Sequence, residues 1–113
     1  MKSKIASLSK SFEFKSILSG KKISNKYSTI FFKKLDGKNE KKLNISFVAK
    51  KKIGNAVKRN KIKRRLRNIM NDANKKFNLN LKYSYLLIAK SLIIKDPYED
   101  IKETLFTDFK KIK

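Results

Sequence analysis

No cysteine and no histidine occur in the 113 residues. The first absence removes disulfides, thiolate metal sites and a cysteine nucleophile; the second removes the commonest general base and the usual zinc ligand. Acidic residues are scarce, nine against 31 lysines and arginines, which leaves few groups for protein-borne acid–base chemistry. No apolar run approaches the roughly 20 residues of a membrane span, and the basic start Met1-Lys2-Ser3-Lys4 has no apolar stretch after it long enough for a signal peptide. A cytoplasmic protein without a membrane partner is expected.

What the chain does contain is one modest core's worth of apolar material, 40% hydrophobic and 11% aromatic, and a net charge of +22. That charge is far more than solubility needs and points to a polyanionic partner. It is also unevenly spread. Residues 1–40 carry ten basic and three acidic side chains, residues 41–71 twelve and none, and residues 72–113 nine and six. A segment without a single compensating acid concentrates the field on one part of the fold, so the binding surface is expected there.

The patterning reads as a single α+β domain over residues 1–113, with residues 1–10 expected to be a flexible basic N-terminus. Ser11 to Ser19 has Phe14, Ile17 and Leu18 at helical spacing, with Gly20 placed to end a helix. Lys26 to Leu35 alternates as a strand, with Tyr27, Thr29 and Phe31 on one face and Ile30 and Phe32 on the other. Asp36-Gly37 supplies a turn, and Leu43 to Lys50 alternates again, which predicts an antiparallel hairpin across Asp36 to Lys41. Asn55 is the expected N-cap of a long helix whose stripe is Ile62, Leu66, Ile69, Ala73 and Phe77. Tyr83 to Lys90 is a third strand. Asp96-Pro97-Tyr98-Glu99 then reads as a cap, a first-turn proline and an N3 carboxylate opening a last helix that buries Tyr98, Ile101, Leu105, Phe109 and Ile112. The order αββαβα packs helices on a small sheet.

Seven lysines and arginines fall in the ten residues Lys58 to Arg67. With Ile62 facing inward, Lys63, Arg67, Asn60 and Arg64 occupy one flank of the polar face and Asn68, Lys61, Arg65 and Lys58 the other, while Arg59 falls nearer the apolar side. Like charges at i, i+4 repel along a helix, and a polyanion relieves that repulsion. Arginine offers a planar fork to phosphate or base edges, lysine a point charge, and Asn60 both a donor and an acceptor. Charge alone does not separate RNA from DNA. Backbone N–H groups at Gly54 and Asn55 offer a further phosphate contact, although an ordinary helix start explains them as well.

The run Lys51-Lys52-Ile53-Gly54-Asn55-Ala56-Val57-Lys58-Arg59-Asn60-Lys61-Ile62-Lys63-Arg64-Arg65-Leu66-Arg67 closely resembles the signature of the bacterial ribonuclease P protein family, and the order of elements follows that family over nearly the whole chain. The resemblance implies the protein subunit of an RNA-based endonuclease that removes the 5′ leader of precursor tRNA. It implies as partners the catalytic RNA and precursor tRNA, with no DNA, and a left-handed crossover around the long helix. It also implies Mg²⁺ held mainly by the RNA, and no catalytic residue or metal ligand on the protein. By the same resemblance Lys58, Arg59, Asn60, Lys61, Lys63, Arg64 and Arg67 face the catalytic RNA. Phe14, Phe31, Lys51, Lys52 and Arg59 line a cleft for the single-stranded leader. Two departures stand out: the family's Arg-Asn-Arg core reads Arg59-Asn60-Lys61 here, and Leu18 replaces an aromatic often found one turn after Phe14. Read from periodicity alone, Phe14 and Phe31 would be ordinary core. A structural protein of the ribosome is the alternative of equal size and basicity. A self-sufficient metal nuclease is disfavoured, because Asp96, Glu99, Asp100, Glu103 and Asp108 gather on the last helix and its cap, away from the basic segment.

Overall fold

The computed structural model describes residues 5–6, 11–35, 38, 41–77 and 79–112. Its elements are β1 (Ile5–Ala6), α1 (Ser11–Leu18), β2 (Lys21–Ser24), β3 (Ser28–Lys34), β4 (Leu43–Val48), a 3₁₀ turn Lys51–Ile53, α2 (Ala56–Lys76), β5 (Tyr83–Ala89), a 3₁₀ turn Ser91–Ile94 and α3 (Tyr98–Lys111). The α+β class and the three helices agree with the patterning; β1 and β2 are additional. Of the ten residues expected to form a flexible basic N-terminus, only Ile5 and Ala6 are described, and they pair in parallel with Leu43 and Asn44.

The sheet order is β1-β4-β5-β3-β2. This corrects the expected hairpin, since β3 and β4 do not touch but flank β5, which runs antiparallel to β3 and parallel to β4. The Asp36-Gly37 turn itself lies outside the described residues. The reason is burial: Tyr83–Ala89 is apolar on both faces, so it is most stable as the central strand with a neighbour on each side. The hairpin of β3 is instead with β2, where Asn25 Oδ1 accepts the Tyr27 and Ser28 N–H groups at 2.8 Å each and closes the turn.

One face of the sheet is closed by α2 and α3. Ile30, Phe32, Ile45, Phe47, Tyr85 and Leu87 from the strands meet Ile62, Leu66, Ile69, Met70 and Ala73 from α2 and Ile101, Leu105 and Phe109 from α3. Tyr27 belongs to this core rather than to the side of Phe31, because the strand begins only at Ser28 and the residue before it is set by the turn. Asp96 does not cap α3. The N-cap is Pro97, without a side-chain bond, and the Asp96 carboxylate accepts the Tyr27 hydroxyl at 2.5 Å. A buried phenol needs a partner, and a carboxylate at the sheet's end satisfies it.

Among the described residues, the helix on the other face is α1. Gly20 allows this helix to end hard against β3: a side chain there would stand 2.7 Å from the Phe32 carbonyl oxygen and 2.9 Å from Lys33 Cβ. Glu13, buried on α1, is ion-paired with Lys38.

Candidate nucleic-acid interface

Asn55 caps α2 as expected, its Oδ1 accepting the Lys58 N–H at 2.9 Å. Gly54 donates its own N–H to the Lys51 carbonyl at 3.2 Å, so that group closes the 3₁₀ turn. The absence of a side chain at Gly54 leaves room for Lys58, whose Cδ would lie 3.0 Å from a Cβ there.

From this start the apolar stripe locks the rotation of α2. With Ile62, Leu66, Ile69 and Ala73 turned to the sheet, Lys58, Asn60, Lys61, Arg64 and Arg67 are exposed and Arg59 and Lys63 half-buried. Among the described residues none of the cations from Lys50 to Arg67 enters an ion pair; the ion pairs join Lys38 to Glu13, Lys102 to Asp72 and Lys111 to Asp108. The helix therefore presents an uncompensated cationic face. Arg59 is the exception in placement. Its Nε is buried with no hydrogen-bond partner among the described residues, as expected for a side chain leaving the helix on the edge of the apolar stripe.

The open face of the sheet is assembled by strand register. One row reads Lys22, Phe31, Leu86, Ser46 across β2, β3, β5 and β4, and the next Ser24, Thr29, Ile88, Val48. α1 lies over β3 and β5, burying Ile17 against Leu86, while Phe14, Phe31, Leu35, Val48 and Ile88 pack around that pair and remain partly exposed. Phe14 and Phe31 thus share one cluster, half packed and half open. Leu18 at the end of α1 is 47% exposed. Lys51 and Lys52 are exposed on the turn that leaves β4 three residues after Val48 and leads into α2. Of the five residues expected in the cleft, Phe14 and Phe31 lie on this face, Lys51 and Lys52 on the connection from it to the helix, and Arg59 in the first turn of α2 itself, while Lys63, Arg64 and Arg67 lie further along α2.

Val48 and Ile88 were not singled out from sequence, although the alternation of Leu43 to Lys50 already put Val48 on the side opposite Phe47. Arg65, half-buried on the second flank of α2, was also left out of the expected contacts. No three His, Cys, Asp or Glu side chains cluster among the described residues in a way that would hold a metal ion. Nor is any described helix long and apolar enough to cross a membrane.

The family model described as Ribonuclease P matches residues 2–113. A ribonuclease P protein component from Mycoplasma mycoides subsp. mycoides is 34% identical over 106 residues, covering 94% of this chain and 94% of the relative. One from Bacillus pumilus is 32% identical over 105 residues, covering 92% and 85%. Among solved structures, the RNase P protein of Staphylococcus aureus superposes with a TM-score of 0.77 at 23% identity, covering 93% of this chain and 92% of that one. The Thermotoga maritima RNase P protein gives 0.75 at 24%, covering 89% and 92%. At such identities the two structures speak to the fold.

Proposed function

The chain belongs to the ribonuclease P protein family, and from that premise we propose a division of labour between its two exposed surfaces. As a member of the family it is the protein subunit of an endoribonuclease of tRNA processing and a partner of the ribonuclease P RNA. The alternative reading of the composition, a structural protein of the ribosome, has no support in the family relationship.

In our reading the cationic face of α2 docks on the catalytic RNA through Lys58, Arg59, Asn60, Lys61, Lys63, Arg64 and Arg67. The open sheet face receives the 5′ leader of precursor tRNA at Phe14 and Phe31, with Lys51, Lys52 and Arg59 beside its phosphates. Lys61 supplies charge without the bidentate fork an arginine would bring. The observation that carries this reading is the adjacency of an unpaired cationic helix and a half-covered aromatic face, joined by a turn with two exposed lysines. Unpaired bases stack on such rings, and their phosphates need counter-charge.

We assign the hydrolysis itself to the RNA and to Mg²⁺ bound by it. The described residues offer no ligand set for the ion, and residues 41–71 contain no carboxylate. The chain's own work is positioning and screening. Twelve basic residues without acids can replace diffuse divalent ions around the RNA, and we expect this to happen in the cytoplasm, where tRNA precursors are processed.

The test is cleavage of precursor tRNA by protein, RNA and both together, at low and high Mg²⁺. The protein alone should be inactive, and its stimulation of the RNA should be far larger at low Mg²⁺ than at high. Stoichiometric cleavage by RNA-free protein would overturn the assignment.

A further inference from the structure

Between α2 and the 3₁₀ turn Ser91–Ile94 lies a cleft of about 190 Å³, lined by Lys58, Lys61, Ile62, Arg65, Ile93 and Ile94. It lies on the flank of α2 that carries Lys58, Lys61 and Arg65, which are three and four residues apart and so form one row. The rest of the lining is apolar: Ile62 and Ile93 are buried, whereas Ile94 is 42% exposed. Leu92, on the same turn, is 37% exposed. No acidic side chain lines the cleft.

The cleft thus sets an exposed isoleucine against three cations. The cations select an anion, and the isoleucines select a flat uncharged group attached to it. A nucleotide carries both. The volume is below the roughly 300–1,000 Å³ of a drug-sized site, which suits a single base rather than a larger ligand. Duplex RNA keeps its base faces stacked inside and offers only phosphates and edges, so only an unpaired nucleotide can present a face to the isoleucines. An arginine plane can also lie flat against such a base.

We propose that this cleft receives one unpaired nucleotide of the partner RNA, its base against Ile62, Ile93 and Ile94 and its phosphate held by Lys58 and Lys61, with Arg65 closing over the base. The proposal rests on the reading that α2 faces that RNA. Every polar side chain in the lining is a donor, so the cleft favours bases rich in acceptors.

The experiment uses the full chain assembled on its catalytic RNA. A benzophenone side chain in place of Ile94 should crosslink to one nucleotide in an unpaired region. Ile94→Ala should weaken assembly about three- to ten-fold with an unchanged dependence on salt, since no ion is displaced by an isoleucine. Lys61→Ala should weaken it and lower the slope of log K against log salt by about 1. Thermal melts check that each variant folds, and Arg64→Ala with Arg67→Ala is the control for the helix face as a whole. Normal assembly of Ile94→Ala, with the control impaired, would overturn the pocket and leave the helix reading intact. If the control also assembles normally, the helix reading fails and the pocket with it. Crosslinks scattered over paired stems, or crosslinks to a second protein chain with a dimer that Ile94→Ala dissociates, would equally overturn it.

Discussion

Leu87 and Leu86 are neighbours on β5 and point to opposite sides of the sheet, into surroundings that differ in kind. Leu87 faces two helices, of 21 and 14 residues, and is buried with their apolar stripes in one core. Leu86 faces α1, whose eight residues span only about 12 Å, against strands that follow one another every ~4.8 Å. A helix that short buries one leucine and one isoleucine completely and leaves the ring of residues around them half exposed. The open aromatic surface is therefore a consequence of helix length rather than of any unusual residue. The same alternating strands supply a sealed core on one side and a platform on the other.

The sharpest way to break this comparison is to remove one large side chain from each face. Leu87→Ala should cost about 2–5 kcal/mol of folding stability, the range for a buried leucine whose cavity cannot collapse. Phe31→Ala, half-buried, should cost only about 1–2 kcal/mol, well short of the 3–5 expected of a sealed phenylalanine. Denaturant melts of the two variants measure the difference, and equal losses would mean that the open face is core after all.

The closed face was also the more legible in the sequence. Ile62, Leu66, Ile69 and Ala73 declare their helix by spacing, and Asn55 declares its start, because both signals are local to one element. Pairing between strands is not local. Asp36-Gly37 reads as a hairpin turn, but the choice of neighbours is decided by β5, which begins 46 residues after Gly37 and needs cover on both sides. β2 escaped notice because Lys21-Lys22-Ile23-Ser24 is an edge strand with one apolar residue, and edge strands favour charge for their own reasons. Asp96 was misread for a similar cause: a hydroxyl 69 residues away takes its carboxylate, and no local pattern announces that. Among the site residues, those on α2 were fixed by the helical period, whereas the meeting of Phe14 with Phe31 depended on where α1 crosses the sheet. Periodicity could name both rings but not bring them together.

If the open face takes the leader, its variants should show in a ratio rather than in stability. Holoenzyme should bind precursor tRNA more tightly than mature tRNA, and Phe31→Ala with Lys52→Ala should narrow that difference. Loss of one stacked base is worth about 1–3 kcal/mol, and the lysine adds a salt-sensitive part. The leader is the one portion the two ligands do not share. Equal losses for both, measured with folded variant at one salt concentration, would remove the leader from this face.

A smaller effect should separate the helix from both sheet faces. Arg64→Ala with Arg67→Ala should leave the melting curve in place, since Arg64 and Arg67 are exposed, and should reduce the slope of log K against log salt for assembly on the catalytic RNA by about 1–2. Titrating salt for the wild type and the double variant reads that slope directly. An unchanged slope would put the RNA somewhere other than α2.

The smallest expected effect bears on the chemistry of the closed face alone. Three tyrosines of that face hold their protons above the ordinary range: the hydrogen bond to Asp96, followed by burial, pushes Tyr27 up to about 12, and burial raises Tyr85 and Tyr98 as well. A phenol is neutral while it holds its proton, and the folded chain holds the Tyr27 proton more tightly than the unfolded chain, whose value is near 10.0. The stability it contributes is therefore complete below pH 10 and is lost as pH rises through about 12, when a phenolate would face the Asp96 carboxylate. The informative quantity is the gap between wild type and Tyr27→Phe, in which every other group is common to both chains. That gap should favour the wild type at pH 8 and close, or reverse, as pH rises from 10 to 12. A gap that stays constant across the range would mean that the Tyr27–Asp96 bond does not form in solution.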